Sequence, residues 1–369
     1  MENLFNYVLQ VFIFLSPIFY FRDYQLSTAR GMFFVLGTFV LFSLSLAVEQ
    51  KRKFSNKWVS LIVLLAFIRI FFDNKFQGSE WFNFWFSCAG FIYVLCGAML
   101  FYVVYCYSDN IRDLFMPVCY VAVLNSILVL AQLFKYDFMW TNALGINGFM
   151  DTPSQLGQYS AMSLPILFYF NPLLTIFPLF TLIASKSISP ILASVLGIGL
   201  LGGFKGKIWK IKLGIGILLV TLVFFNFSYI TSKWQCRPER WKTIAKIALQ
   251  KPFLGWGYRT YNEKVMQLKE KDSLSRVENQ RPHNDYLHTA QELGFPIVIV
   301  FIIFLIKKFK KFCSMKKDRL LICLFCSVLI VLINMGAQSL IRYASMAGTF
   351  IVLLALLCRK VDDGNRTPD

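Results

Sequence analysis

Arg281-Pro282-His283-Asn284-Asp285-Tyr286-Leu287-His288-Thr289-Ala290-Gln291-Glu292-Leu293-Gly294 is the stretch whose polarity sets the reading of the whole chain. It carries both histidines and ends the one long hydrophilic segment of a sequence that is 57% hydrophobic and only 16% charged. Pro282 fixes its own φ and pushes Arg281 into an extended conformation, so the spacing predicts a helix starting around His283. Leu287, Ala290 and Leu293 form its short apolar stripe, and Gly294 with Pro296 closes it. His283 is therefore expected beside the open N–H groups and positive dipole end of a helix, a field that disfavours imidazolium and attracts anions. A neutral imidazole there suits a general base; the competing use is a capping or packing histidine.

Outside this segment, apolar runs repeat along 369 residues, more than a soluble domain can hide. The expected class is an all-α polytopic membrane protein with about twelve transmembrane helices and one large helical extracytoplasmic loop. The segments fall at 4–21, 31–49, 57–72, 85–106, 114–134, 156–170, 172–185, 189–204, 212–230, 294–306, 319–335 and 340–358. The sixth to eighth are short and carry Pro165, Pro172, Pro178 and Pro190, which predicts kinks. The first lacks a basic flank and a small-residue cleavage site, so it reads as a retained helix. The nine cysteines lie mostly within apolar segments and indicate neither a disulfide framework nor a zinc site.

A net charge of +18 would suit nucleic acid, but the basic residues sit in short runs between apolar segments, where they read as topology signals. Four Lys/Arg fall in Lys51–Lys57, four in Lys205–Lys212 and seven in Lys307–Arg319, and twelve alternating spans place all three runs on one side. The positive-inside rule makes that side cytoplasmic, with both termini. The expected organisation is a membrane bundle over 1–230, an outward-facing loop over 231–293, a second part of the bundle over 294–358 and a cytoplasmic tail over 359–369. Within that tail, Asp362 to Asp369 reads as disordered. The connection from Lys135 to Gln155 also faces outward and could fold over the mouth of the bundle.

A second loop helix opens at Arg237-Pro238-Glu239-Arg240-Trp241, with Trp241, Ile244, Ala245, Ala248 and Leu249 as its predicted apolar stripe. Lys251-Pro252 stops it and Gly255-Trp256-Gly257 turns the chain sharply. Arg237 and Arg240 are either a solvated helix face or a phosphate clamp, since the guanidinium fork matches phosphate oxygens.

Arg240-Trp241, Lys251-Pro252-Phe253-Leu254-Gly255-Trp256-Gly257, His283-Asn284-Asp285-Tyr286-Leu287 and Glu292-Leu293-Gly294 together resemble the bacterial O-antigen ligase superfamily, which also contains O-antigen polymerases. The resemblance implies a C-type, metal-independent membrane glycosyltransferase of the inner membrane, with no cofactor. Its donor would be a glycan on undecaprenyl diphosphate and its acceptor a sugar hydroxyl, in ligases on lipid A core. Carried over residue by residue, His283 matches the catalytic histidine and Arg240 the arginine that meets the diphosphate. A Ser-Arg pair of the family reads Ser185-Lys186 here, which keeps the charge of Lys186 but loses the bidentate fork. Lys186 is thus either a phosphate contact or a snorkelling outer-end residue.

Physical chemistry supports the same set. A lipid diphosphate leaving group needs fixed cations, and Arg240, Lys186, Arg281 and Arg342 are candidates for the outer mouth. The acceptor hydroxyl needs a base, for which His283 has the right ordinary range; His288, turned away from it around the helix, reads as packing or interfacial. Asn284 and Asp285 would orient His283, bind a sugar hydroxyl or cap the helix. Tyr258 and Arg259, after the glycine turn, are candidates for glycan contact. Beyond membrane lipids, the partners are the glycan donor and either lipid A core or another glycan as acceptor, with no nucleic acid. A polymerase joining repeats on the carrier lipid shares the loop motifs. A transporter or flippase is disfavoured, because the spans are nearly free of charge and polarity concentrates in one loop.

Overall fold

Helices occupy the apolar segments wherever the chain is described. The computed structural model describes residues 1–18, 26–50, 53–54, 56–72, 80–108, 110–135, 146–150, 152–200, 237–258, 260–261, 282–316, 318–340 and 342–364. In chain order the helices are α1 (Glu2–Ile18), α2 (Leu26–Ser45), α3 (Lys57–Phe72), α4 (Glu80–Tyr107), α5 (Ile111–Leu133), α6 (Pro153–Phe170), α7 (Ile176–Ala184) and α8 (Ile188–Leu200). They continue as α9 (Arg237–Gln250), α10 (Asp285–Leu293), α11 (Phe295–Ser314), α12 (Arg319–Met335) and α13 (Ala344–Asp363). No strand occurs among the described residues. The predicted segment 212–230 lies outside them.

Capping residues set several of these starts. Asn110, Thr152 and Asp318 each accept a hydrogen bond from a first-turn N–H of α5, α6 and α12. Pro172 opens a short 3₁₀ turn, Pro172–Thr175, that feeds directly into α7. The predicted kink near Pro172 is thus a change of helix type, as expected where a proline removes a donor.

Gly90–Tyr107 and Ile111–Leu133 are long and apolar enough to cross a membrane by length and composition, and Arg30–Ser45, Pro172–Ala184, Ile188–Gly197 and Arg319–Met335 are shorter apolar helices. Large apolar side chains also face outward, among them Leu36, Phe39, Leu64, Phe67, Ile127 and Leu130. Such a surface is costly in water and without penalty in hydrocarbon.

The two ends of the bundle differ in chemistry. At one end Asp362 accepts hydrogen bonds from Tyr105 (2.8 Å), Lys308 (2.6 Å) and Lys311 (2.9 Å), Lys360 pairs with Asp318 (3.0 Å), and Lys307 lies over the Trp58 ring. This end gathers the Lys307–Arg319 run. It also overturns the disorder predicted at Asp362, since α13 continues through Asp363 and the Asp362 carboxylate holds three elements together. Burial works against that carboxylate, but its lysine and tyrosine donors hold it below the usual range.

At the opposite end, residues 146–150 are tucked against α5. The Asn125 carbonyl oxygen accepts the Phe149 N–H (2.9 Å), and the Gln132 carbonyl oxygen accepts the N–H groups of Asn147 (3.2 Å) and Gly148 (3.0 Å). The Arg30 guanidinium donates to the Phe149 carbonyl. The Lys186 turn, the connection between α12 and α13, and the α9–α10 pair lie at this same end.

Candidate functional site

The described residues of the hydrophilic loop fold as two helices stapled by a glycine turn. Arg240, Ile244, Ile247 and Ala248 form the buried face of α9, while Leu249 is 65% exposed. The apolar stripe is therefore rotated from the predicted one, and the rotation carries Arg240 inward to 8% exposure. Tertiary packing decides this. Ile244 and Ile247 pack with Tyr261, Trp256 and Leu287, while Ala248 meets Ala290 and Val298. Each buried isoleucine contributes about 1.5–3 kcal/mol.

Backbone bonds join the turn to the end of α10. The N–H groups of Trp256 and Gly257 donate to the carbonyls of Gln291 (2.8 Å) and Glu292 (2.9 Å), and Phe295 N–H donates to Pro252 O (2.8 Å). Trp256 and Trp241 add side-chain bonds: Trp256 Nε1 to Ile247 O (2.8 Å) and Trp241 Nε1 to Pro282 O (3.1 Å). The second bond sets Arg240 and His283 one residue from a shared contact.

α10 starts two residues later than predicted. Asn284 is its N-cap, accepting the Leu287 N–H at 3.0 Å, and His283 precedes the cap with φ +52°. A histidine in the left-handed region costs about 1–2 kcal/mol, which its surroundings must over-determine. They do so through the connection after α12. His283 Nδ1 lies 3.1 Å from Gln338 Oε1, Asn284 Nδ2 donates to Gly336 O (2.9 Å), and Asp285 Oδ2 accepts the Leu340 N–H (2.6 Å). From α9, Arg237 donates to Ala337 O at 2.7 Å. Residues 336–340 thus form a ledge gripped from both loop helices.

The predicted site residues divide on this frame. His283 bonds to the ledge, and Arg240 is buried on α9 beside Arg237, which bonds to the same ledge. Burial lowers the Arg237 guanidinium from its ordinary value and the neighbouring Arg240 charge lowers it further, so two cations crowd the start of α9. Burial also pushes the Tyr261 phenol up to about 12, with the Arg240 charge pulling the other way. Asn284 and Asp285 cap and strap, which accounts for their polarity without a ligand. Arg342 forms an ion pair with Glu292 and sits over the Tyr258 ring, 5.2 Å from its centroid. Lys186 is exposed at the α7–α8 corner with φ +49°. Ser189, three residues on, donates to Asn334 (3.1 Å) just before the ledge, which places Lys186 at the same end. Arg281 and Arg259 lie outside the described residues.

His288 is the packing histidine expected: it is 6% exposed, its ring is tilted against Tyr261 with centroids 5.3 Å apart, and it lies 3.2 Å from Glu292. Two participants escape the sequence reading. Glu292 needs its burial to be noticed, and burial is invisible without the fold. Gln338 had a signal, because Gly336-Ala337-Gln338-Ser339 is a polar break between two apolar segments.

A cavity of ≈ 420 Å³ opens beside the ledge. Its walls are largely apolar, from α2, α3, α4, α11 and α13, while Tyr258, Asp285 and Arg342 give it a polar end. Tyr258 closes against α4 at Gly90, where a Cβ would stand 2.4 Å from the ring.

Fold and site together define a chain that is helical wherever it is described, with membrane-crossing character and a ledge gripped by a loop histidine and arginine beside an amphipathic cavity. Residues 173–302 match the family model described as O-antigen ligase, a family of membrane-integral, glycosyltransferase-like proteins. The match spans Lys186, α9, the glycine turn and α10, and so carries the resemblance read from the loop. No curated protein matches the chain.

Proposed function

We propose that this protein is an O-antigen ligase-like glycosyltransferase that moves a glycan from undecaprenyl diphosphate to a sugar hydroxyl of lipid A core. The observation that carries the reading is the meeting of His283 and the first turn of α9 on one ledge, within the matched family segment. The bundle crosses the bacterial inner membrane with twelve spans, both termini cytoplasmic and the ledge on the periplasmic side. In support, the basic run Lys307–Arg319 gathers at the end opposite the ledge.

The acceptor hydroxyl oxygen attacks the anomeric carbon, and the bond from that carbon to the diphosphate oxygen breaks. The hydroxyl proton passes to His283, and undecaprenyl diphosphate leaves with the bonding pair. Arg240 and Arg237 hold the diphosphate; an anion between these two neighbouring cations offsets their mutual repulsion. Lys186 adds a third cation, and Arg259 and Arg281 are further candidates for this mouth. Asn284 and Asp285 serve by fixing the ledge. Arg342 holds α10 through Glu292 and forms the polar rim of the cavity. The apolar cavity admits part of the polyprenyl tail.

The test is the glycan profile of cells lacking the protein, read separately for carrier lipid and lipid A core. Long polymer accumulating on the carrier, with bare core, is expected. Single repeats reaching the core would instead assign the chain to polymerisation, and unchanged profiles would overturn the reading.

A further inference from the structure

We infer that Gln338 is a positioning residue that fixes the tautomer and direction of the His283 imidazole; this rests on the base role proposed above. Gln338 is 5% exposed, and its Oε1 lies 3.1 Å from His283 Nδ1. An amide oxygen can only accept, so Nδ1 carries the proton and Nε2 keeps the lone pair that a base requires.

Gln338 is itself held in place. Its neighbours on both sides are bonded to the loop: Gly336 O to Asn284, Ala337 O to Arg237 and Leu340 N to Asp285. These bonds come from both α9 and α10, so the amide is presented by a fixed backbone. His283 meets it from a left-handed backbone, a conformation retained here because side chain and following cap are both engaged. A side chain with a neutral acceptor suits this position. It sets the tautomer without adding a charge that would hold the proton on the imidazole after transfer.

The test compares purified full-length protein in lipid vesicles as wild type, Gln338→Leu, Gln338→Glu and His283→Ala, with insertion and monodispersity checked for each. Gln338→Leu is expected to lower kcat about 10–100-fold with KM for the lipid-linked donor within about twofold. Gln338→Glu restores an acceptor but adds a negative charge. It is expected to recover turnover and to move the acid limb of the pH–rate profile upward by about one unit or more. The charged groups on the surrounding elements, Arg237 and Arg240 of α9, Asp285 of α10 and Arg342 after α12, are the same in all these variants. With only two histidines in the chain, nitrogen NMR of the imidazoles gives a second readout. The Nδ1–H signal of His283 is expected in the wild type and lost in Gln338→Leu. Wild-type kcat and tautomer in Gln338→Leu, or an unmoved pH limb in Gln338→Glu, would overturn the positioning role. An active His283→Ala would instead overturn the base role beneath it.

Discussion

Gly255 and Glu292 are in backbone contact: a Cβ at Gly255 would stand 2.5 Å from both the carbonyl carbon and the carbonyl oxygen of Glu292. Gly255 also has φ +63°, so a side chain meets a strained backbone as well as an occupied space. Gly255→Ala is expected to destabilise the docked loop by about 2–4 kcal/mol and to reduce transfer sharply while leaving membrane insertion intact. Thermal unfolding in detergent checks the first part and a transfer assay the second. An unchanged melting temperature would contradict the packing described.

Arg342 and Glu292 bring the second prediction. Glu292 is 1% exposed, and removing one member of a buried pair leaves the other uncompensated. Arg342→Ala is expected to cost about 3–5 kcal/mol. Measured stability within 1 kcal/mol of wild type would show that α10 is held by its backbone bonds alone, where ~1 kcal/mol is the net worth of a typical bond.

Acid should act through the same carboxylate. Burial would raise its pKa, but the Arg342 charge and His288 overcome burial and lower it from the ordinary 4.5 to about 2. A depressed carboxylate pKa contributes stability that is complete above the unfolded value and is lost as pH falls toward the folded one. Wild-type stability should therefore drop between about pH 4.5 and 2 by more than that of Glu292→Gln, which lacks the titrating group. Parallel pH curves for the two proteins would refute the assignment.

Arg240 tests the proposed diphosphate contact. Its inward face and its neighbour Arg237 predict a loss of about 10²–10³-fold in transfer for Arg240→Ala. Arg240→Lys should fall between, since lysine keeps the charge without the fork. Activity of Arg240→Ala within twofold of wild type would remove Arg240 from the mechanism.

Much of this was legible in the residues. Segments rich in Leu, Ile and Phe announce helices by length alone, and caps such as Thr152 and Asp318 mark where they begin. The glycine turn was legible too, because Gly255 and Gly257 sit where the backbone needs positive φ, while the roles of His283 and Arg240 came from the resemblance. The face of α9 was misjudged, since Arg240 reads as surface-loving until Ile247 is seen to pack beneath Tyr261. The tail was cut too early for a similar reason: Asp362 looks like solvent-exposed polarity but is consumed by Lys308 and Lys311. The ledge lies more than forty residues from the loop it serves, and pairings across such separations are not encoded in local spacing.

The most direct measurement of the central claim is transfer by purified His283→Ala in vesicles supplied with undecaprenyl-diphosphate glycan and lipid A core. Turnover is expected to fall by about 10²–10⁴-fold with donor binding retained. Transfer at the wild-type rate by a correctly inserted variant would contradict the account.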